Sequence, residues 1–519
     1  MYRAARFTTP APFLGVRFSW PLLIGAAIFA LLIQNPRLLH DPDTYWHLKV
    51  GEWILANGAI PQIDYFSHTM KGAPWHPHEW LGELLFALAY AKGGWTALVV
   101  CVSAAFASAL AVLSRYLLRF LEPIYVLGAV ALAYSLLAPH LLARPHVLMM
   151  PLLVLWGIGL MNAHDEERSP SLSLLPAMTV WANLHGSFVF GLLLVAAFTV
   201  GAIVPAKGHR WEVARRWSVF LAACTGAAMV TPFGPQGLTY AFTVSDMSFA
   251  LSTINEWRSP NFQKLQPLEL CLLVVAAAVL ARGLRLSWLR IVLLLGLLHL
   301  ALKHLRHADL LALLAPVLLA RPIGEQWLSA SAQNAATSAL DNWFRRLARP
   351  ASVAGVGLTV LLLAVASWTA VRSDSLHPPA KFAPQGALNA LQASGMSGGG
   401  LNGYDFGGFL IFSGIPTFID GRADLFGDRF LRTYVYSLNL NGEGGGLTEL
   451  IRQHDIQWTM LPPGLPAVQF LDHLPGWQRL YSDPVAVVHI RTSCLTNRSA
   501  PAPSQEPCTA GKRSAGEPT

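Results

Sequence analysis

Apolar and polar segments alternate along the first 371 residues of the chain. The apolar stretches are mostly about 17 to 23 residues long, and about 20 residues are needed to cross a bilayer as a helix. The pattern therefore predicts a mainly α-helical polytopic membrane domain of about 11 spans. Several stretches are short, which indicates tilted or broken helices. The predicted spans are residues 18–34, 95–117, 121–139, 146–163, 171–186, 187–206, 216–232, 266–283, 286–302, 307–320 and 351–371.

After residue 371 the pattern changes to that of a water-soluble α/β domain, predicted over residues 372–491. Its helices are expected over 379–393 and 428–438, and its strands over 416–419, 457–461 and 485–490. The Ser/Pro/Gly-rich tail, residues 492–519, has no apolar periodicity and is predicted to be disordered. The chain is thus expected to comprise a membrane domain (1–371, with an outer loop at 35–94), an α/β domain and a tail.

Composition supports a membrane protein and excludes several other classes. Hydrophobic residues make up 53% of the chain and charged residues only 13%, about half the usual charged fraction. This excludes disordered, collagen-like and disulfide-scaffold proteins. Cys101, Cys224 and Cys271 lie in apolar stretches, and the sequence leaves open whether Cys494 and Cys508 pair in the tail.

The net charge of +8 is best explained by membrane orientation, because short basic loops mark the cytoplasmic side. No nucleic-acid partner is therefore expected. Arg3, Arg6 and Arg17 place the N-terminus in the cytoplasm. The segment 78–91 could span the membrane or lie at its surface, but only the surface helix leaves every basic cluster cytoplasmic. The outer loop and the α/β domain are then on the outer face of the membrane.

With this topology, polar residues of unusual type gather on the outer side of the membrane. Ionisable groups near membrane depth are costly and usually line a functional cavity. The candidate site residues there are Asp41, Asp43, Tyr45, His47, His76, His78, Glu79, Arg144, His185, Glu256, Arg258, Lys303, Arg306 and His307.

Asp41 and Asp43 are the candidate catalytic pair. Two carboxylates separated by one residue can hold a divalent cation such as Mg or Mn, or one can act as a general base whose pKa the other tunes. The alternative is a structural role in helix capping and turn formation. The neighbouring Tyr45 and His47 favour the functional interpretation. Apart from such a metal ion, no cofactor is expected.

Lys303 and Arg306 are strong positive charges in an outer loop, against the orientation bias. Positive charge retained there predicts an anionic ligand, and a phosphate suits both side chains. Arg144 is a further candidate of this kind. The alternative is that these long side chains anchor a helix end at the membrane surface.

His76, His78 and Glu79 are candidate substrate or metal ligands, but the chain has no His-Glu-x-x-His spacing. Anchoring of this segment at the interface by Trp75 and Trp80 is the structural alternative. No phosphate loop, dinucleotide fingerprint, Gly-x-Ser-x-Gly elbow or zinc-ribbon spacing is present.

The segment Asp-Pro-Asp-Thr-Tyr-Trp-His-Leu-Lys at 41–49, continuing through Gly-Ala-Ile-Pro at 58–61, resembles the first outer loop of oligosaccharyltransferase catalytic subunits. These enzymes belong to the GT-C superfamily of polytopic glycosyltransferases, which use lipid-phosphate-linked sugars. The resemblance places Asp43 at the family's catalytic aspartate and makes Asp41 the second carboxylate of the pair. It also implies a membrane-surface helix before the second span, as the charge count predicts.

Two features differ from the oligosaccharyltransferases. The segment Tyr-Asp-Phe-Gly-Gly at 404–408 is similar to their Trp-Trp-Asp-Tyr-Gly acceptor motif but lacks both tryptophans, and makes Asp405 a candidate acceptor-binding residue. The second outer loop, 140–146, has no carboxylate. These departures make the chain similar to protein O-mannosyltransferases and aminoarabinose transferases. It also resembles a group of bacterial membrane proteins that share the Asp-Pro-Asp-Thr, Trp-Ala-Asn-Leu-His-Gly, Glu-Trp and Ile-Asp-Gly-Arg stretches.

The resemblance implies an enzyme of a bacterial inner membrane, with the outer loop and the α/β domain periplasmic. It would transfer a sugar from a polyprenyl-phosphate-linked donor to a lipid, glycan or protein acceptor on the periplasmic face. Asp43 would be the base of a single, inverting displacement. One alternative is a transporter or lipid flippase, which should have charges deep within its spans. Another is a non-catalytic assembly partner for surface polysaccharide, in which Asp405, Asp420, Arg422 and Asp424 bind sugar or peptide. The sequence favours the structural alternative, in which the Gly residues of that region and Asp420 shape turns.

Overall fold

The computed structural model describes residues 15–239, 247–328, 339–441 and 446–492. It is mainly helical, with a small sheet near the C-terminus, so the predicted fold class is confirmed in its architecture. Arg3, Arg6, Cys494, Cys508 and the predicted disordered tail beyond Thr492 lie outside the described residues.

The membrane part is a succession of helices, and each predicted span overlaps one of them. The described helices are α1 (Trp20–Leu32), α2 (Asp43–Asn57), α3 (Trp80–Leu117), α4 (Pro123–Leu137), α5 (His146–Asp165), α6 (Leu175–Leu184), α7 (Phe188–Ile203), α8 (Arg210–Ala228), α9 (Ser248–Thr253), α10 (Pro267–Arg282), α11 (Trp288–Lys303), α12 (Ala308–Ile323), α13 (Ala339–Leu347) and α14 (Val353–Ser373). Among the described residues, 5 helical segments are long and apolar enough to cross a membrane, namely Trp80–Leu117, Pro123–His140, His146–Asp165, Leu305–Trp327 and Val353–Ser373. The chain is therefore a multi-pass membrane protein, whereas the full number of spans remains a prediction.

Helix α3 is interrupted at Gly93 and Gly94, both of which have non-helical dihedral angles. Gly94 has φ 59° and ψ −152°, a conformation that costs glycine little and other residues much. The interruption separates residues 80–92 from 95–117. This is the division that the sequence predicts between a surface helix over 78–91 and a span starting at 95.

Burial differs between the helices. α3 carries fully buried Leu98 and Phe106 and packs on α1, α2 and α5. By contrast, α14 exposes Val360, Leu361 and Leu362. An apolar helix with so much of its surface uncovered is typical of a segment that faces lipid.

The α/β part contains a 4-stranded sheet in the order β1-β2-β4-β3. β1 pairs with β2 in parallel, and β4 lies antiparallel to both β2 and β3. Its elements are α15 (Gln385–Ser394), β1 (Gly399–Asn402), α16 (Gly407–Phe412), α17 (Ala423–Leu438), α18 (Gly446–Gln453), β2 (Ile456–Leu461), α19 (Pro466–His473), β3 (Trp477–Ser482) and β4 (Val487–Arg491). The helices predicted over 379–393 and 428–438 and the strands over 457–461 and 485–490 lie where the pattern places them.

The strand predicted over 416–419 is wrong. This segment contributes an isolated bridge between Ser67 and Thr417 and joins no strand of the sheet. The backbone N–H of Thr417 donates to the carbonyl of Phe66 (3.1 Å), and the N–H of His68 donates to the carbonyl of Thr417 (2.9 Å). The apolar run is buried because it crosses to the outer loop of the membrane part, which periodicity cannot distinguish from burial in a sheet.

A buried ion cluster fastens the α/β part to the outer loop. Arg422 donates to both oxygens of Asp420 (2.7 Å each) and to Asp64 (2.6 Å). Its guanidinium carbon also lies 4.7 Å from the centre of the Trp75 ring. All three charged side chains are 0% exposed. The carboxylates at 420 and 64 therefore depend on this one guanidinium for charge compensation, and the cluster has a structural role.

Replacing Arg422 by Leu should destabilise the protein strongly, because it leaves two buried carboxylates without a counter-charge. Removal of one partner from a buried pair typically costs about 3–5 kcal/mol. The thermal unfolding midpoint of the purified protein in detergent measures the loss. Arg452→Leu is the control, since its pair with Glu449 is exposed, and it should leave the midpoint nearly unchanged. Equal midpoints for the two variants would contradict a structural role for Arg422.

Candidate functional site

Arg144 lies in a short segment between α4 and α5. Two hydrogen bonds to the backbone of Ala143 fix this segment against the outer loop. The N–H of Ala143 donates to the carbonyl of Leu38 (2.7 Å). The hydroxyl of Thr44 donates to the carbonyl of Ala143 (3.1 Å). Two parts of the chain about a hundred residues apart are thereby joined at one point, and the guanidinium of Arg144 is directed at the start of α2.

Arg144 binds three carboxylates at once. Its Nη2 lies 2.8 Å from Oδ2 of Asp43 and 3.0 Å from Oδ1 of Asp41, and its Nε also donates to Asp41. Its Nη1 donates to both carboxylate oxygens of Glu256, at 2.8 and 2.9 Å. The sequence-predicted catalytic pair and one predicted phosphate-binding residue therefore meet in a single ionic cluster.

Asp41 caps the start of α2 and pairs with Arg144. Its Oδ1 accepts a hydrogen bond from the backbone N–H of Asp43 (2.9 Å), which orders the start of α2. Its side chain is 0% exposed and is paired with Arg144. Asp41 thus fixes both the helix start and the guanidinium, and it has no oxygen open to solvent.

Asp43 is the first residue of α2 and lies where the membrane part meets the α/β part. A Cβ atom added at Gly421 would overlap Oδ1 of Asp43, and one added at Gly408 would overlap the carbonyl oxygen of Pro42. Such close approach requires glycine on the α/β side. Gly408 of the acceptor-like motif and Gly421 therefore pack on the start of α2, and Asp43 remains 16% exposed.

The surroundings of Asp43 and Glu256 shift the pKa values of these two carboxyl groups in opposite directions. Burial raises the pKa of Asp43 to about 7, Arg144 opposes the shift, and Asp41 and Glu256 add to it. Burial also acts to raise the pKa of Glu256, but Arg144 and Arg306 lower it to about 2. Asp43 can thus take up or release a proton near neutral pH, whereas Glu256 stays ionised.

Arg306 extends the ionic cluster toward α12. Its Nη1 lies 3.3 Å from Oε1 of Glu256, and its guanidinium is 4.5 Å from the centre of the Trp257 ring. Lys303, by contrast, is exposed at the end of α11, and its carbonyl accepts a hydrogen bond from Ser259. Of the predicted phosphate-binding residues, Arg144 and Arg306 are brought together and Lys303 stays outside the cluster.

A second polar cluster lies around Glu79, at the start of α3. Its carboxylate is 3.1 Å from Nε2 of His185, 3.6 Å from Nε2 of His78 and 3.7 Å from Nε2 of His47. Nδ1 of His47 is also 3.2 Å from Glu83. These candidates are therefore neighbours in space although they come from three parts of the sequence.

Burial keeps the imidazole of His47 neutral. It lowers the pKa of His47 to about 3, although Glu79 acts in the opposite direction. Burial acts to raise the pKa of Glu79, but His185, His78 and His47 hold it below the usual range. The Glu79 carboxylate is thus ionised and contacts three imidazoles.

The remaining candidates lie at the margin of these clusters or within the packing. Tyr45 is buried, with its ring 5.0 Å from Trp95 and 5.7 Å from Phe409, between α2, α3 and α16. His76 makes an edge-on ring contact with Phe233, and His307 makes ring contacts with Trp257 and His304. The carbonyl of Arg258 accepts a hydrogen bond from the N–H of Leu305. Asp405 is exposed.

In this arrangement Asp41 and Asp43 are paired with an arginine, and a divalent metal there stays a prediction. The guanidinium of Arg144 already binds both carboxylates. Among the described residues, no group of three or more His, Cys, Asp or Glu side chains is arranged to hold a metal ion. The counter-charge of the aspartate pair is therefore an arginine.

The sequence analysis missed two residues of the site. Glu83 is buried beside His47, and its only sequence signal is a carboxylate in an apolar helix, four residues after Glu79. Gly421 borders Asp43 from the opposite domain. Nothing in the Ile-Asp-Gly-Arg stretch indicates that contact, because it depends on how the domains dock.

No protein-family model matches the chain, and no curated sequence is significantly similar to it. Among solved structures, the apo oligosaccharyltransferase of Archaeoglobus fulgidus has 10% identity and a TM-score of 0.49, over 85% of this chain and 69% of that chain. The archaeal oligosaccharyltransferase AglB from the same organism, with an inhibitory peptide and a dolichol-phosphate, has 12% identity and a TM-score of 0.48 over the same shares. ArnT from Cupriavidus metallidurans bound to undecaprenyl phosphate has 14% identity and a TM-score of 0.44, over 90% of this chain and 97% of that chain. At these TM-scores the likeness says nothing about the chemistry of the site, which depends on the side chains described above.

Proposed function

We propose that this protein is a membrane glycosyltransferase that moves a sugar from a polyprenyl-phosphate-linked donor to an acceptor hydroxyl or amide at the outer face. The observation that carries the proposal is the joining of Asp43, Arg144 and Arg306 in one ionic cluster at the junction of the two domains. A base and two phosphate-binding cations are the groups that such a transfer needs.

Asp43 takes the role of the base. With a pKa near neutrality it can accept the acceptor's proton as the acceptor atom attacks the anomeric carbon of the donor. The bond from the anomeric carbon to the phosphate oxygen breaks, and polyprenyl phosphate leaves with the bonding electrons. A single in-line displacement of this kind inverts the configuration of the sugar.

Arg144 and Arg306 take the role of stabilising the leaving phosphate. Guanidinium groups bind phosphate oxygens through paired, charge-assisted hydrogen bonds. Arg144 lies just before α5 and Arg306 in the turn between α11 and α12, so both charges are near helix ends, which supports a phosphate site there. A phosphate attached to a lipid chain would lie at that depth.

The distribution of charge favours this function over transport. In the described residues, the buried charged side chains Asp41, Glu79, Glu83 and Asp309 lie at helix ends on the side of the α/β part, and Arg290 lies at the opposite end of the bundle. A translocation path would need charged groups between these two levels. The described buried polar side chains there are hydroxyls such as Ser103.

Replacing Asp43 by Asn should abolish transfer, because an amide cannot accept the acceptor's proton. The loss expected for a general base is about 10²- to 10⁴-fold. Cell-surface glycan profiles of a deletion strain, complemented with wild type or with the variant at equal expression, measure the effect. Glu52→Gln is the control, since that carboxylate pairs with Lys49 outside the cluster. Full complementation by Asp43→Asn would refute the role of Asp43.

Transfer should depend on pH through the ionisation of Asp43. Since the raised pKa of about 7 leaves Asp43 largely protonated below that pH, kcat/KM should rise as the pH increases from 5.5 to 8. Each unit below the pKa should cost about tenfold. His47 stays neutral over this range and adds no second ionisation to the profile. A rate independent of pH in this window would argue against Asp43 as the base.

A further inference from the structure

Glu256 occupies the space between the two arginines that are proposed to bind phosphate. Its carboxylate accepts two hydrogen bonds from Nη1 of Arg144, and one of its oxygens lies 3.3 Å from Nη1 of Arg306. Carboxylates and phosphates bind guanidinium edges in the same geometry. A phosphate at this position would therefore replace the same contacts that Glu256 makes.

The charges in the cluster make simultaneous binding unfavourable. Asp41, Asp43 and Glu256 supply three carboxylates, and Arg144 and Arg306 supply two guanidinium groups. With Asp43 ionised the cluster carries a net negative charge, which repels a phosphate. One carboxylate must leave before a phosphate can form hydrogen bonds with both arginines.

Exposure indicates which carboxylate can leave. The side chain of Asp41 is 0% exposed, and it also holds the backbone of α2. The side chain of Glu256 is 26% exposed and belongs to a three-residue 3-10 turn, Asn255–Trp257. Rotation of one side chain from a short turn moves its carboxylate into water without disturbing a long helix.

The backbone around that turn is anchored on both sides. Before it, Asp428 of α17 accepts hydrogen bonds from the N–H groups of Phe249 (2.7 Å) and Ala250 (2.9 Å) at the start of α9. After it, the carbonyl of Arg258 accepts a hydrogen bond from Leu305 (2.9 Å). The exchange therefore requires only movement of the Glu256 side chain, and the turn keeps its place.

We infer that the Glu256 carboxylate holds the place of the donor's phosphate between Arg144 and Arg306, and that a lipid-linked phosphate binds by displacing it. This inference rests on the proposed function and adds the position of the phosphate and the group that competes for it. In the absence of donor, Glu256 keeps the two arginines paired and in position. It thereby sets how strongly an anion must bind to enter the site.

The test is binding of farnesyl phosphate to the full-length protein in detergent, measured by calorimetry for wild type, Glu256→Gln and Arg306→Gln. Glu256→Gln keeps the shape of the side chain but removes the competing charge, so the Kd should fall by about tenfold, which corresponds to about 1.4 kcal/mol. Arg306→Gln should weaken binding by a similar factor. Glu52→Gln is the matched control and should bind as wild type does. Thermal unfolding midpoints verify that each variant is folded.

An unchanged or increased Kd in folded Glu256→Gln would overturn the inference, because Glu256 would then not compete with the phosphate. If Arg306→Gln weakens binding in that case, the proposed phosphate site stands and only the role of Glu256 falls. If neither wild type nor Glu256→Gln binds farnesyl phosphate, the proposed function and the inference fall together. Should Glu256→Gln unfold, Glu256→Ala serves in its place with the same expected direction.

Discussion

The site depends on one guanidinium held between three carboxylates. Arg144 joins Asp41 and Asp43 at the start of α2 to Glu256 in a distant loop. Three carboxylates of like charge could not lie so close together without it, because buried like charges repel strongly. The same interaction leaves Asp43 with a pKa near neutrality, since burial and the neighbouring carboxylates outweigh the attraction of the arginine.

The α/β part borders this cluster and is fixed against the outer loop. The buried pairing of Arg422 with Asp64 and Asp420 holds the two parts together, and it places Gly421 directly against Asp43. The α/β part therefore forms one wall of the site. Under the proposed function, an acceptor would approach Asp43 past that wall, and this part of the protein would influence which acceptors are used.

Much of the architecture follows from the sequence alone. Apolar stretches of about 20 residues can be stable only as helices in lipid, because lipid offers the backbone no hydrogen bonds. The helices accordingly overlap the predicted spans, and the interruption at Gly93 and Gly94 lies where the charge count separates a surface helix from a span. The gathering of Asp41, Asp43 and Arg144 near one membrane face is also readable from the sequence, since spans of known direction fix the side on which each loop lies.

Only the tertiary structure decided which side chains contact each other at that membrane face. The sequence treats Asp41 and Asp43 as a metal-binding or catalytic pair, whereas the fold supplies Arg144 as their counter-charge. It likewise assigns Glu256 to substrate binding without indicating that it would lie between two arginines. Hydrophobic periodicity and loop charge are properties of single segments, so the sequence alone is enough to predict on which side of the membrane a residue lies. Which side chains touch depends on how the helices and the α/β part dock, and that is a property of the whole chain.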